Sequence, residues 1–203
     1  MTEVVGILAL QGDFPTHREA LLRHGQTVRE VRTAAGLRGL TRLVLPGGES
    51  TTILHLLREE ALLLPLRAAI AAGLPTLATC AGAILLARQV SNPGQDSLGL
   101  LDVAIERNSY GRQLSSGIHP LQGRNGFPDT RGCFIRAPRI LRVGPSVTVL
   151  ATRDQDPVLV QQGHILAATF HPEMDERHPA YARFLSLASA TAPQRGAAAS
   201  TQP

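Results

Sequence analysis

The sequence predicts an α/β fold: a doubly wound, mostly parallel sheet with helices on both faces and a small antiparallel layer at one edge. Three observations predict it. Residues 4–10 (VVGILAL) form a continuous apolar run, as expected of a strand buried on both faces of a parallel sheet. From there to Gln89, short apolar runs alternate with helical periodicity in a β-α-β-α rhythm. Beyond Gln89 the rhythm gives way to short strands joined by turns such as Gln162-Gly163.

The elements follow in order. The first strand ends in Gln11-Gly12-Asp13, and Thr16 is expected to cap a helix to His24, with Glu19 as capping-box partner and Gly25 as its stop. Residues 28–31 and 43–45 read as the second and third strands. The third delivers Pro46-Gly47-Gly48-Glu49, after which Ser50-Thr51-Thr52 opens a helix with Ile53, Leu56 and Leu57 on one face. A helix over 63–72 leads to a strand over 74–77, and a helix over 81–89 follows almost at once. Residues 91–97 are loop-rich, 100–106 alternate like a strand, and 108–132 are rich in Gly, Pro, Ser and Asn. Strands are expected over 133–135, 147–152, 157–161 and 164–169, and a final helix over 179–187. Residues 1–187 thus read as one domain. The Ala-, Ser-, Thr-, Gln- and Pro-rich stretch 188–203 reads as a disordered tail.

Composition narrows the function classes. The chain has 203 residues, enough for one well-cored α/β domain. Its net charge of +4 invites a nucleic-acid reading, but all 20 basic residues are arginines scattered among acids. Aromatics are 3% and Trp is absent, so base-stacking platforms and nucleic-acid partners are not expected. No apolar run approaches the ~18 residues of a membrane span, and the N-terminus lacks a basic region followed by a cleavage site. The expected location is the cytoplasm, with no membrane partner. Two cysteines, Cys80 and Cys133, make no disulfide framework, and neither Cys-x-x-Cys nor His-Glu-x-x-His occurs, so no metal site is expected.

Cys80 is the residue around which the chemistry gathers. It lies where a strand turns directly into a helix, with nothing bulkier than Ala at 78 and 81 and a Gly at 82, the setting of a nucleophile elbow. A helix N-terminus also favours a thiolate. On this stretch alone a buried thiol that merely packs remains the competing reading. A thiol nucleophile needs a base and the base an orienting group. His171-Pro172-Glu173 supplies both in three residues, although in isolation the pair reads rather as a capping or core histidine and a solvated turn carboxylate. The other six histidines lack a comparable neighbourhood. Gly47-Gly48 suits an oxyanion, because backbone N–H groups without side chains can approach a reacting oxygen; the alternative is a tight turn that uses Gly only for positive φ. Gln11-Gly12, Gly47-Gly48 and Cys80 all sit at strand C-terminal ends, where doubly wound sheets bind ligands.

Thr79-Cys80-Ala81-Gly82 with His171-Pro172-Glu173 resembles the class I (triad) glutamine amidotransferases. Further stretches, Leu8-Ala9-Leu10-Gln11-Gly12, Pro46-Gly47-Gly48-Glu49-Ser50-Thr51, Arg107-Asn108-Ser109-Tyr110-Gly111-Arg112-Gln113 and Phe134-Ile135-Arg136-Ala137-Pro138, are similar to the glutaminase subunits of pyridoxal 5′-phosphate synthase. The resemblance spans about residues 4–187. It implies a flavodoxin-like sheet and hydrolysis of L-glutamine to glutamate and ammonia, with no cofactor. It also implies a synthase partner that accepts the ammonia in a hetero-oligomer. By the same resemblance Cys80 is the nucleophile, His171 the base and later acid, and Glu173 the orienter. Gly48 and Ala81 hold the oxyanion. Gly47, Gly48, Glu49, Arg107, Ile135 and Arg136 bind glutamine, and Gln11 and Gly12 face the partner. The chain departs from the pattern at Ala78, where Gly is usual, at Met174, where Leu is common, and at Asp13-Phe14-Pro15. The rival readings are a glutaminase serving another synthase, a stand-alone cysteine hydrolase or stress protein on a similar fold, and a non-catalytic binding module.

Overall fold

The computed structural model describes residues 3–107 and 116–188. The chain opens with β1 (Val4–Leu8), α1 (Phe14–Arg23), β2 (Thr27–Val31) and β3 (Arg42–Leu45). Helices α2 (Ser50–Glu59) and α3 (Leu63–Ala71) precede β4 (Thr76–Thr79) and the short α4 (Ala81–Leu86). Then come β5 (Ala87–Ser91), β6 (Leu101–Glu106), β7 (Gly117–Gly123), β8 (Thr130–Phe134) and β9 (Arg139–Val143). The chain continues through β10 (Thr148–Arg153), β11 (Asp156–Gln162), β12 (Ile165–Ala168) and α5 (Pro179–Leu185).

The fold is mixed α/β. Strands β2, β1, β3, β4 and β12 lie side by side in that order and run parallel. Alternation along them sends side chains to two cores. Leu43, Leu45, Ala78, Ile165 and Ala167 face α2, α3 and α4, whereas Val5, Ile7, Val44, Leu77 and Leu166 face α1 and α5. Helices therefore cover both faces. The remaining strands take two forms. Strands β11, β10, β7 and β8 continue the same sheet with antiparallel pairing. Strands β5, β6 and β9 make a separate three-stranded sheet that is mixed, β6 pairing parallel with β5 and antiparallel with β9, so the edge layer is not wholly antiparallel as expected.

Several boundaries differ from expectation, each for a local reason. Helix α1 starts at Phe14 rather than after Thr16, because Pro15 suits the first turn and the Thr16 hydroxyl donates to Asp13 Oδ1 at 2.6 Å instead of capping. Helix α4 stops at Leu86, not Gln89. Residues 87–91 pair instead with β6, and Arg88 reaches Asp102 at 2.9 Å, so tertiary pairing overrides helical periodicity. Strand β7 lies in the stretch 108–132, rich in Gly, Pro, Ser and Asn, for which the sequence predicts no strand. It tolerates Pro120 because β10 pairs only with its last residues, Gln122 and Gly123, which leaves Pro120 on an open edge. Residues 108–113 of the Arg107–Gln113 block, and the expected tail from 189 on, lie outside the described residues.

The sheet order sets the place of the site. The chain leaves β1 toward β2 on one side and returns to β3 on the other, so the crevice of a doubly wound sheet opens beyond the C-terminal ends of β1 and β3. The ends of β4 and β12 continue that row.

Candidate active site

Cys80 occupies the one-residue turn between β4 and α4 with φ +47° and ψ −104°, a conformation that non-glycine residues adopt only when the surroundings impose it. The impositions are visible. Its N–H donates to the Ala168 carbonyl at 2.8 Å, and its own carbonyl accepts from Ala83 and Ile84 at 3.1 and 3.3 Å. Gly82 lets α4 press onto the end of β3, since a Cβ there would stand 2.2 Å from the Leu45 carbonyl oxygen. The additional methyl of Ala78 is fully buried in the core. Cys80 itself is 7% exposed, and it opens into a cleft of about 290 Å³.

His171 leaves β12 and is fixed through its backbone, the N–H donating to the Cys133 carbonyl of β8 at 2.8 Å. Its Nδ1 lies 2.6 Å from Glu173 Oε1, and the ring lines the same cleft as Cys80, both of them against Gly47. Glu173 sits on the single 3₁₀ turn Pro172–Met174 and is 3% exposed. Burial opposes charge on His171, but the hydrogen bonds to Cys80 and Glu173, and the charges of both, raise its pKa to about 10. Burial likewise opposes charge on Glu173, yet the nearby His17 and the hydrogen bond to His171 hold it below the usual carboxylate range. The ring therefore keeps a proton at neutral pH.

The Gly47-Gly48 turn is clasped by the segment after β1. The Glu49 N–H donates to Gln11 Oε1 at 2.8 Å and the Asp13 N–H to the Gly47 carbonyl at 3.2 Å. Neither Gly47 nor Gly48 has a positive φ, so the tight-turn alternative does not explain them. Space does. A Cβ at 47 would stand 2.5 Å from His171 Cε1 and 3.3 Å from Cys80 Cβ, and one at 48 would stand 2.5 Å from Gln11 Oε1. Gly12 needs both freedoms, with φ +104° and its Cβ position 1.9 Å from the Gly47 oxygen.

Across the cleft Glu49 caps α2, accepting from the Thr52 N–H at 2.8 Å, from the Thr52 hydroxyl at 2.9 Å and from the Thr51 hydroxyl. Partial burial pulls its pKa upward, but these hydrogen bonds bring it down to about 2. Arg107 Nη2 approaches its other oxygen at 3.2 Å. Arg136 holds φ +46°, its N–H donating to Ser116 Oγ at 3.3 Å.

The cleft thus gathers Gln11, Gly48, Glu49, Cys80, Arg107, Ile135, Arg136 and His171. Gly47 lies against Cys80 and His171, and Ala81 is buried at the start of α4. Ser50, Ile84 and Pro138 also line the cleft without having been assigned a site role from the sequence, although Ser50 and Pro138 stand inside the quoted motifs and Ile84 lies just beyond the Cys80 one. His17 corrects the reading of the six remaining histidines. It is fully buried, and its Nε2 lies 3.3 Å from Glu173 Oε2. Its place on the apolar face of α1 with Ala20 and Leu21 was the available signal.

The model of the SNO glutamine amidotransferase family matches residues 7–187. The chain belongs to this family. A pyridoxal 5′-phosphate synthase subunit PdxT from Deinococcus radiodurans is 50% identical over 189 residues, covering 91% of this chain and 96% of that protein. The PdxT subunit from Thermus thermophilus is 49% identical over 190 residues, 93% and 99% of the two chains. A crystal structure of a glutamine amidotransferase superposes with a TM-score of 0.84 at 46% identity, covering 89% of this chain and 96% of that one. Another, from Thermotoga maritima, shares the fold at 18% identity with a TM-score of 0.62, over 91% and 84% of the chains. Among the described residues of this glutamine amidotransferase no cluster of His, Cys, Asp or Glu is placed to hold a metal ion, and no helix is long and apolar enough to cross a membrane.

Proposed function

We propose that the chain is the glutaminase subunit of a pyridoxal 5′-phosphate synthase, hydrolysing L-glutamine to glutamate and handing ammonia to a synthase partner. The observation that carries this is Cys80 and His171 lining one cleft, with Glu173 hydrogen-bonded behind His171, in a chain about half identical to proteins named as that synthase's PdxT subunit.

Cys80 Sγ, its proton held on His171, attacks the side-chain amide carbon of glutamine. The carbonyl oxygen becomes an oxyanion that the N–H groups of Gly48 and Ala81 receive. Collapse breaks the C–N bond as His171 donates its proton to the leaving nitrogen, which departs as ammonia. The γ-glutamyl group stays on sulfur as a thioester. His171 then takes a proton from water, the resulting hydroxide attacks the thioester, and glutamate leaves as the thiol is restored. Glu173 keeps the ring oriented and offsets its charge throughout. Glu49 meets the substrate ammonium, while Arg107, Arg136 and the backbone at Gly47 and Ile135 hold the remainder.

Residues 1–187 act in this reading as one glutaminase domain in a cytoplasmic hetero-oligomer. Gln11 and Gly12 face the partner. Because they also clasp the oxyanion turn, docking there would shift the turn, and the partner's preference for one turn conformation would supply the energy. The test is ammonia and glutamate release by the chain alone and with excess cognate synthase. Slow release alone and faster release with the synthase is the expected outcome. Equal rates would remove the activation, and no release in either condition would remove the glutaminase assignment.

A further inference from the structure

We propose that His17 is a positioning residue for this reaction, fixing from α1 the Glu173 carboxylate that orients His171. The inference rests on the glutaminase reading and adds a fourth residue to it.

The two oxygens of Glu173 are treated differently. Oε1 is taken by His171 at 2.6 Å, whereas Oε2 is buried and makes no hydrogen bond. The His17 Nε2 lies 3.3 Å from it, and both side chains are wholly inaccessible to solvent. His17 is held at both ring nitrogens. Tyr181 Oη of α5 lies 2.8 Å from Nδ1, and Thr79 Oγ1, next to Cys80, lies 3.1 Å from Nε2. The network selects the tautomer. A proton on Nδ1 would turn the Nε2 lone pair toward a carboxylate, so the Tyr181 hydroxyl donates to Nδ1 and the Nε2–H faces Glu173 and Thr79.

A neutral imidazole suits this place. Burial pushes the His17 pKa down, with Glu173 pulling it up, His171 pushing it further down and Asp13 pulling it up. A neutral ring with its Nε2 3.3 Å from Oε2 fixes the carboxylate by packing and by its N–H dipole, without a second positive charge to compete with the His171 imidazolium. Glu173 also borders a surface pocket of about 180 Å³ with Thr16, Ala20 and Met174, which gives an unheld carboxylate somewhere to turn. Helix α1 begins directly after the Gln11–Asp13 clasp, so the same element touches the oxyanion turn at its start and the acid one turn later.

The experiment uses the full chain with Cys133→Ser, so that a thiol reagent reports Cys80 alone. Iodoacetamide alkylation is followed from about pH 5 to pH 9, and kcat and KM for glutamine are measured with the cognate synthase. The charged and titratable groups facing His17 are Asp13, His171, Glu173 and Tyr181. His17→Leu is expected to lower kcat about 10- to 100-fold, the range that outer-shell partners command at metal sites, with KM within about twofold. It is also expected to shift the alkylation profile as Glu173→Gln does, and to add nothing on the Glu173→Gln background. His17→Gln, whose amide reaches the Nε2 position, should restore more than His17→Asn, which reaches only the Nδ1 side. Wild-type kcat and alkylation in His17→Leu, additive losses with Glu173→Gln, or an Asn variant better than the Gln variant would overturn the assignment. If Glu173→Gln itself leaves the alkylation profile and turnover unchanged, the triad fails, and the role of His17 with it.

Discussion

Cys80→Ser is expected to abolish ammonia release, with kcat falling on the order of 10⁴–10⁶, as removal of a nucleophile does in other triads. A serine fits the same turn, since the strained backbone is imposed by the bond to Ala168 and the contact at Gly82 rather than by sulfur. What is lost is the chemistry. A thiol gives its proton to a neighbouring imidazole and attacks as a thiolate, whereas a hydroxyl must be deprotonated during attack. The high pKa of His171 reflects in part its bond to Cys80, so the ring is tuned to a sulfur partner. Cys133→Ser should keep most of the rate, because β8 holds His171 through the carbonyl of residue 133 and not through its thiol. Both variants are to be assayed with the synthase present and melted alongside the wild type. Turnover retained by Cys80→Ser at an unchanged melting temperature would move the nucleophile elsewhere.

Glu173→Gln is expected to cost about 10²–10⁴ in kcat while KM changes little, the loss typical of a removed triad orienter. Glu173 has a histidine at each oxygen, and a neutral amide presents only one acceptor to the two. The pH dependence of stability gives a second readout. The folded pKa of His171, about 10, lies above its ordinary 6.5, so its protonation stabilises the fold fully below about pH 6.5. That contribution fades as the pH rises through about 10. Burial alone would lower the pKa, and Glu173 is among the groups that reverse the sign, so the variant should lose less stability than the wild type between those two values. Urea titrations at the ends of the window measure the difference. An equal or steeper loss in the variant would mean that Glu173 does not set the charge on His171.

Much of the site was legible because its residues announce themselves locally. Cys80 sits between a strand and a helix with small neighbours on either side, and Pro172 binds His171 to Glu173 within one turn. The parallel strands were legible for a similar reason, since burial on both faces makes them uniformly apolar. What stayed hidden depends on partners far along the chain. His17 reads as an ordinary helix residue until Tyr181, 164 positions later, and Glu173 arrive beside it. Residues 87–89 carry on the helical pattern of 81–86, which only pairing with β6 overrules. Gly47 and Gly48 were recognisable as important, but whether for φ or for space depends on where His171 and Gln11 end up. The clasp of Gln11 on Glu49 was hidden in the same way, two motifs being legible and the bond between them not.

The most direct test of a glutaminase working through a glutamyl thioester on Cys80 is labelling with an electrophilic diazoketone analogue of glutamine, followed by peptide mass analysis. The expected result is one adduct per chain, on the peptide that holds Cys80, suppressed by excess glutamine and absent from Cys80→Ser. Adducts on Cys133, or labelling of Cys80 that glutamine does not suppress, would contradict it.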